Sequence, residues 1–91
     1  MYYVYFIKMN NGQIYTGFTA NLKQRITQHK SGMSNTTRKY LPLTLLGYEA
    51  YIEKTDAIRR EKFLKTTEGK RLLKLQYRDI ISTLAPSSKG L

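Results

Sequence analysis

The sequence YYVYFIKMNNGQIYTG, residues 2–17, carries the clearest structural signal in this chain. Its first six residues are all aromatic or β-branched, which is typical of a β-strand. Asn11 and Gly12 then form the dipeptide most typical of a tight β-hairpin turn, because both residue types tolerate positive φ. Residues 13–16 predict the returning strand. Gly17 ends it, since a backbone without Cβ can bend there or approach a ligand closely.

The rest of the chain alternates helical and extended patterns. The spacing of apolar residues predicts a first helix over 21–30 and a third strand over 43–52. It also predicts a second helix, which Thr55 or Asp56 caps and which ends near residue 65. A third helix follows over 70–81. Residues 31–40 are polar and basic, which predicts an exposed loop. The order ββαβαα predicts a small α/β, or α+β, layer.

Length and composition indicate one soluble globular domain. The 91 residues predict a single domain over 1–81 and a flexible C-terminal tail over 82–91. The absence of cysteine excludes disulfides, cysteine-based zinc sites and thiol catalysis. No apolar run reaches the roughly 18 residues of a membrane span, and no signal-peptide pattern opens the chain. We therefore expect a cytoplasmic protein that does not associate with membranes.

The net charge indicates a polyanionic partner. Sixteen Lys and Arg residues against six Asp and Glu residues give a formal charge of +10. A field of that sign concentrates polyanions at the surface, so nucleic acid is the first partner to consider. A solubilising surface is the alternative interpretation. The charge by itself indicates no reaction.

Two polar side chains interrupt the apolar face of the first predicted helix. At 100° per residue, His29 lies about 20° from Leu22, on the face that Leu22 and Ile26 share, and Arg25 lies one step to the side. Both side chains should therefore point toward the sheet. The alternatives are a core histidine hydrogen-bonded to a carbonyl group and an arginine whose stem covers the core while its head reaches water.

A carboxylate interrupts the second predicted helix in the same way. Glu61 falls between Ala57 and Ile58 in angle, where a charge is costly unless it is paired or binds a cation. The alternative is an internal salt bridge to Arg25 or to a neighbouring lysine. Mg²⁺ suits a single carboxylate, because that ion usually keeps several waters, whereas a two-metal centre needs more ligands.

Together with two strand tyrosines, these residues predict a site for a phosphate and one metal ion. The set is Tyr5, Tyr15, Arg25, His29 and Glu61. A guanidinium can clamp phosphate oxygens while a carboxylate binds the metal. Tyrosines in strands more often serve packing alone, which is the alternative for the two phenols.

The sequence resembles the GIY-YIG endonuclease superfamily. The resemblance extends over residues 2–74 and rests on segments in the family's order and spacing: Tyr3-Val4-Tyr5, Tyr15-Thr16-Gly17, residues 21–25 followed by His29, residues 42–46 with Glu49, and residues 57–65. It is strongest to the small single-domain bacterial members, which are similar to the N-terminal nuclease domain of the bacterial excinuclease. Tyr3 stands where the first tripeptide has glycine, and Thr16 where the second has isoleucine.

The resemblance implies a three-stranded, mainly antiparallel sheet flanked by helices. It also implies Mg²⁺-dependent (or Mn²⁺-dependent) cleavage of DNA by a one-metal hydrolytic mechanism, in DNA repair or recombination. By that resemblance Tyr15 activates the attacking water and Tyr5 helps to align it with the phosphate. Arg25 stabilises the developing charge, and Glu61 holds the metal. His29 binds the phosphate or assists proton transfer.

Basic residues outside this set suggest contacts with the DNA backbone. Four of them fall within about 100° of arc on the third predicted helix, opposite Leu72 and Ile80. These four are Lys70, Arg71, Lys74 and Arg78. Such a stripe suits phosphate contacts without sequence specificity, and a solvated face is the alternative. In the loop, Arg38 and Lys39 can contact phosphates and Tyr40 can stack on an unpaired base.

Three hypotheses of function follow. The first is a weakly specific DNA endonuclease, either a monomer or a weak homodimer, for which a protein partner can supply specificity. The second is a non-catalytic nucleic-acid-binding module of the same fold. The third is a basic structural protein, which would leave Glu61 and His29 on the buried helix faces unexplained.

Overall fold

The computed structural model describes residues 1–84 and contains one antiparallel sheet. Its strands are β1 (Tyr2–Lys8), β2 (Ile14–Thr19) and β3 (Thr44–Tyr51), in the spatial order β2-β1-β3. The helices are α1 (Leu22–Lys30), α2 (Lys54–Leu64), α3 (Thr67–Gln76) and α4 (Arg78–Thr83), with a 3₁₀ helix at Arg38–Tyr40. The predicted α+β class and three-stranded antiparallel sheet are confirmed. Within residues 1–84, no helix combines the length and apolarity that crossing a membrane requires.

Of the two predicted turn residues between β1 and β2, Asn11 and Gly12, only Gly12 has a left-handed backbone conformation. Gly12 has φ +86°, whereas no residue other than glycine within 1–84 has positive φ. The Gly12 N–H donates to the Met9 carbonyl at 2.9 Å, and the Met9 N–H donates to the Gln13 carbonyl at 2.8 Å. The turn is therefore longer than a two-residue loop, and glycine provides the left-handed step that returns the chain.

Strand β1 is the centre of the molecule, because both of its faces are covered. Successive side chains of a strand point to opposite faces. Val4 and Phe6 pack on one face against the buried residues Ala57, Leu64 and Leu73 of α2 and α3. Tyr5 and Ile7 pack on the other face with Met9 and Leu43, joined by Leu22 and Ile26 of α1. The sheet thus separates two small apolar clusters.

The second helix begins earlier than its predicted cap. Neither Thr55 nor Asp56 is the N-cap, because Glu53 takes that position and the helix starts at Lys54. Asp56 lies in the first turn, where it pairs with Arg59 at 3.0 Å. The cap prediction was wrong because an acidic side chain also stabilises the first turn from inside the helix, through the helix dipole.

The third predicted helix, 70–81, is two helices separated at Tyr77. The first of them, α3, begins three residues earlier than predicted, and the Thr66 hydroxyl caps it by accepting the Gly69 N–H at 3.1 Å. Gly69, which precedes the predicted third helix, is buried inside α3. The close approach of α2 explains this position, since a Cβ on Gly69 would overlap the Phe63 carbonyl oxygen.

The C-terminal helices also differ from prediction in the face they bury. Leu73 faces the core, whereas Leu72, which we expected opposite the basic stripe, is 39% exposed. Helix α4 continues to Thr83, two residues past the predicted domain limit at residue 81. Residues 85–91, which make up most of the predicted tail, lie outside the described residues.

Candidate active site

Three aromatic rings from three different elements meet on the α1 side of the sheet. Tyr5 lies on the central strand, Tyr15 on the edge strand β2, and His29 in the last turn of α1. The ring centroids are 6.3 Å apart for Tyr5 and Tyr15, 5.5 Å for Tyr5 and His29, and 5.4 Å for Tyr15 and His29. The structure therefore brings these three predicted site residues together.

A glycine on the edge strand makes room for the Tyr5 ring. Gly17 is the β2 partner of Tyr5 in the sheet register. A Cβ at Gly17 would overlap the Tyr5 Cζ and hydroxyl oxygen and would lie 2.8 Å from Cε1. The phenol thus crosses over the backbone of Gly17, and its hydroxyl group lies above the edge strand. A glycine at position 17 therefore gives the Tyr5 side chain the space it needs. It does not serve a left-handed backbone conformation, because the φ of Gly17 is not positive.

A buried chain of hydrogen bonds fixes the Tyr5 hydroxyl. Its oxygen lies 2.8 Å from His29 Nε2, and His29 Nδ1 lies 2.7 Å from Thr37 Oγ1. His29 and Thr37 are fully buried, and Tyr5 is 1% exposed. Burial lowers the pKa of His29, and the Arg25 guanidinium lowers it further. The imidazole is therefore neutral at pH 7, so that one ring nitrogen donates and the other accepts.

Thr37 is a site residue that the sequence pattern did not indicate. It lies just before the 3₁₀ helix in the segment 31–40, which we predicted as an exposed loop. That prediction was wrong for Thr37 and also for Ser34, which is 5% exposed. A polar segment without regular periodicity carries no signal for the burial of single residues. His29 itself was expected to bond a carbonyl group if it served only the core, and its partners are instead two side-chain hydroxyls.

The environment keeps the Tyr5 phenol neutral. Burial raises its pKa, and the charges of Tyr15 and Glu61 raise it further, while the Arg25 guanidinium opposes the shift. Tyr5 is therefore a hydrogen-bonding group and not a base. The charges of Arg25 and Glu61 act on this hydroxyl in opposite directions.

Arg25 is half-buried beside the aromatic cluster. Its Nη1 donates to Gln28 Oε1 at 3.1 Å, on its own helix. The guanidinium influences both Tyr5 and His29, as the predicted orientation toward the sheet requires. A guanidinium held in this way keeps further N–H groups for an anionic ligand.

Glu61 lies on α2, which packs on the sheet face opposite the aromatic cluster. Ala57 and Leu64 of α2 face the core, and at 100° per residue Glu61 lies about 40° to one side of Ala57 while Arg60 lies about 60° to the other. Arg60 bonds Glu49 on β3, so Glu61 faces toward the edge strand β2. The Glu61 side chain is 19% exposed.

An ion pair with a neighbouring lysine partly accounts for Glu61. Lys65 Nζ lies 3.1 Å from Glu61 Oε2, and the lysine side chain is 51% exposed. This is the internal salt bridge that we considered as the alternative to a metal site. A pair one helical turn apart whose lysine lies in solvent is worth only about 0.3–0.5 kcal/mol. The pair therefore leaves the carboxylate accessible to a stronger cationic ligand.

A second charged network orients α2 from the β3 side. Arg60 Nε and Nη2 donate to the two carboxylate oxygens of Glu49 at 3.1 and 3.3 Å. The Tyr51 hydroxyl donates to Glu49 Oε1 at 2.6 Å. Burial raises the pKa of Tyr51, and the Glu49 carboxylate, which accepts the hydrogen bond from its hydroxyl group, raises it further, to about 12. The sequence pattern placed Glu49 on the third strand but did not indicate its partner.

The donor set at Glu61 fits a magnesium-like ion. Within residues 1–84 there is no group of three or more His, Asp or Glu side chains that could hold a metal. A cation at Glu61 would thus have one protein carboxylate and would take its other ligands from water and from phosphate oxygens. Mg²⁺ binds proteins in this way, through one or two carboxylates and substrate phosphates.

The predicted DNA-contact residues fall on two separate parts of the surface. The loop residues Arg38 and Lys39 are exposed, whereas Tyr40 is half-buried and packs against the cluster around Ile7. Tyr40 therefore serves packing, because its ring covers the core beneath the loop. The remaining four basic residues, Lys70, Arg71, Lys74 and Arg78, are exposed on α3 and α4.

The basic stripe of the C-terminal helices is divided by the break at Tyr77. Lys70 and Lys74 line a cavity of about 200 Å³ between α3 and the hairpin. Lys74 and Arg78 line an adjoining cavity of about 430 Å³, together with Lys8 of β1. Arg71 is different, because it forms two hydrogen bonds with Glu68 at 3.0 and 2.7 Å.

The fold and this arrangement of residues define a GIY-YIG domain. The profile of the GIY-YIG catalytic domain matches residues 1–75, so the chain belongs to the GIY-YIG family, a family of nuclease domains. The predicted family membership is confirmed.

Within that family the chain is similar to small proteins of the UPF0213 group. It is 35% identical to the one of Staphylococcus haemolyticus, over 81% of this chain and 92% of that protein, and 40% identical to the one of Pediococcus acidilactici, over 80% and 78%. The solution NMR structure of a UPF0213 protein from Bacillus halodurans superimposes with a TM-score of 0.58 at 31% identity, over 92% of this chain and 95% of that one.

Proposed function

We propose that this protein is a DNA endonuclease that hydrolyses phosphodiester bonds with the help of one divalent metal ion. One observation carries the proposal. Tyr5, Tyr15 and His29 converge from two strands and a helix, and the charges of Arg25 and Glu61 act on the same Tyr5 hydroxyl. Membership of a nuclease family supports it.

The two tyrosines take different roles in this proposal. Tyr5 is neutral and hydrogen-bonded to a buried histidine, so it aligns the attacking water or a phosphate oxygen. Tyr15 is half-buried on the edge strand, and we assign to its phenolate form the acceptance of a proton from that water, which returns Tyr15 to the neutral phenol. His29 holds Tyr5 in place and carries its hydrogen bond inward to Thr37.

The two charged residues complete the mechanism. Arg25 stabilises the charge that develops on the non-bridging phosphate oxygens. Glu61 would hold Mg²⁺ or Mn²⁺, which would supply Lewis-acid stabilisation at the phosphate. Lys65 would release Glu61 when the metal binds, since the two cations compete for one carboxylate.

The DNA backbone would contact the exposed basic residues. Lys70, Lys74 and Arg78 lie along the cavities beside the hairpin, and Arg38 and Lys39 lie on the 3₁₀ helix. Contacts of this kind give affinity that depends on salt and not on sequence. A role in DNA repair or recombination suits such a nuclease.

The decisive experiment is Mg²⁺-dependent nicking of supercoiled plasmid. Wild type should convert plasmid to the open circular form, and Glu61→Ala and Tyr15→Phe should each lower the rate by at least about 100-fold, as loss of a general base or of a charge-stabilising group does. EDTA should abolish the reaction. Glu53→Ala is the matched control, because Glu53 is an exposed carboxylate at the other end of α2.

The same experiment distinguishes the enzyme from a binding module. If wild type binds plasmid tightly but leaves it intact across Mg²⁺, Mn²⁺ and several DNA structures, the enzyme proposal fails. A non-catalytic nucleic-acid-binding module of this fold would then be the better description. If Glu53→Ala lost activity as fully as Glu61→Ala, the assignment of the metal to Glu61 would be wrong.

A further inference from the structure

Two more tyrosines lie on the same sheet face as Tyr5, on the side away from the site. Tyr48 is the β3 partner of Tyr5 in the sheet register, and Tyr3 lies two residues before Tyr5 on β1. Their ring centroids are 5.8 Å apart, and the two planes meet at 72°. Tyr48 is 52% exposed and Tyr3 is half-buried. We call Tyr3 and Tyr48 the tyrosine pair.

This part of the sheet face lies beyond the cover that α1 provides. The apolar residues of α1, Leu22 and Ile26, pack against the cluster that contains Tyr5 and Ile7. On β3 the next residue on the same face, Ala50, is exposed together with Tyr48. An aromatic ring that is half in water beside a site of this kind is suited to cover a flat apolar ligand.

We propose that Tyr48 is a stacking platform for an unpaired base of the DNA strand that is being cut. Every nucleobase has a π-face, so stacking on an exposed tyrosine is independent of sequence, and aromatic residues on an open sheet face are a recurrent surface for it. In the edge-to-face pair, Tyr3 holds one side of the partner ring and leaves Tyr48 in a defined orientation. The net charge of +10 attracts the strand that carries the base.

The register sets the distance between this platform and the scissile phosphate. The Tyr5 hydroxyl lies above Gly17 on β2, and Tyr48 lies on β3, two strand positions away. Two strand spacings amount to about 10 Å. Nucleotides in a stacked strand rise by about 3.4 Å each, so the stacked base lies about three nucleotides from the bond that is cut.

A platform at this distance selects a class of substrate, and this selection rests on the proposed function. The preferred DNA has at least one unpaired nucleotide within about three positions of the cleavage site, as gapped, flapped and branched DNA have. A continuous duplex does not present a free base at that position. We expect weaker binding to blunt duplex of the same length.

The test is equilibrium binding of fluorescein-labelled oligonucleotides in EDTA, where no cleavage occurs. Against a single strand of about 12 nucleotides, Tyr48→Ala should bind roughly 5- to 150-fold more weakly than wild type, the range expected for the loss of one stacked base. Tyr48→Phe should bind within about twofold of wild type, because stacking needs the ring and not the hydroxyl. Leu75→Ala, at an exposed apolar residue of α3, should leave binding unchanged.

A scan of single abasic sites makes the test specific to the base. In wild type, one abasic position should weaken binding by the same factor as Tyr48→Ala, and in Tyr48→Ala that position should have no further effect. A merely structural role of the tyrosine pair would lower the thermal midpoint without this dependence on the base. If Tyr48→Ala does not fold, Tyr48→Leu supplies the same comparison, because it keeps apolar area without a ring.

Two outcomes would overturn the proposal, and a third would separate it from the proposed nuclease. Equal weakening of single-stranded and duplex binding would mean that Tyr48 reads no base. If wild type is a dimer in sedimentation velocity and Tyr48→Ala is a monomer, while the abasic effect is as large in Tyr48→Ala as in wild type, the face binds a second copy of the chain. Because the binding assay contains no metal, it tests the platform separately from cleavage. A chain that shows the abasic dependence in EDTA but nicks no plasmid with Mg²⁺ or Mn²⁺ would refute the nuclease and leave the platform in place.

Discussion

The substitution Gly17→Ala tests the geometry of the aromatic cluster most directly. Its Cβ would overlap the end of the Tyr5 ring, which is buried between Tyr15 and His29 and has no room to retreat. The ring can move only by giving up the 2.8 Å bond to His29. One added methyl group should therefore disable the site although every functional side chain is still present.

The magnitude follows from two opposing effects. Overpacking of a filled core costs about 1–3 kcal/mol, and the loss of the Tyr5–His29 hydrogen bond costs about 1 kcal/mol more. Replacing glycine in a strand by alanine returns roughly 0.5–1 kcal/mol through the entropy of the unfolded chain. The net expectation is a loss of about 1–3 kcal/mol. For a domain of this size each kcal/mol lowers the thermal midpoint by about 4–8 °C.

Two further variants, measured by urea unfolding and by plasmid nicking, test whether the Tyr5 ring is the cause of the effect. Gly12→Ala is the matched control, since its φ of +86° strains an alanine by about 1–2 kcal/mol but its Cβ would meet open space. It should lose stability and keep its specific activity. In a Tyr5→Leu background Gly17→Ala should cost less than about 0.5 kcal/mol, because the ring that it displaces is gone. Additive effects of the two substitutions would refute the reasoning.

Three further predictions concern pH, the orientation of α2 and DNA affinity. Burial lowers the pKa of His29 below its usual 6.5, so just below pH 6.5 the unfolded chain takes up a proton that the folded chain does not. The free energy of unfolding should therefore fall as the pH drops from 6.5 toward that lower pKa. Urea titrations of His29→Asn at the same pH values should not show this dependence. Arg60→Met leaves the Glu49 carboxylate with the Tyr51 hydroxyl but without its ion-pair partner, and should cost about 1–3 kcal/mol in thermal unfolding. Arg60→Lys should recover only part of this loss, because lysine cannot bond both oxygens. Lys74→Ala should lower the slope of log affinity for duplex DNA against log salt by about 0.9, whereas Arg71→Ala should change it less, because Arg71 is already bonded to Glu68; equal slopes would refute this difference.

The helix faces show how far periodicity reaches. Spacing alone placed His29, Arg25 and Glu61 on the inner faces of α1 and α2, because a polar residue at an apolar position is visible in one sequence. The same argument was wrong for Leu72 in the third predicted helix. There the phase of the helix depends on the close approach of Gly69 to α2, which is a tertiary contact.

The hydrogen-bond partners of the site lay beyond the sequence. Thr37 belongs to a loop without regular spacing, yet it bonds the histidine at the centre of the site. Glu49 and Arg60 lie 11 residues apart on a strand and a helix, and no spacing rule connects the two. Partners of this kind are set by how the elements cross in space.

The sequence by itself determined the hairpin, the order of strands and helices up to α2, and the residue types of the site, because local backbone preference and amphipathic spacing are written in short segments. Only the tertiary structure decided which of those residues meet. Tyr5 reaches across the edge strand because Gly17 has no side chain, and Glu61 faces that same edge because Arg60 holds the other side of α2 against β3. Contacts between elements depend on packing along the whole chain, and packing is the part of the fold that no short segment encodes.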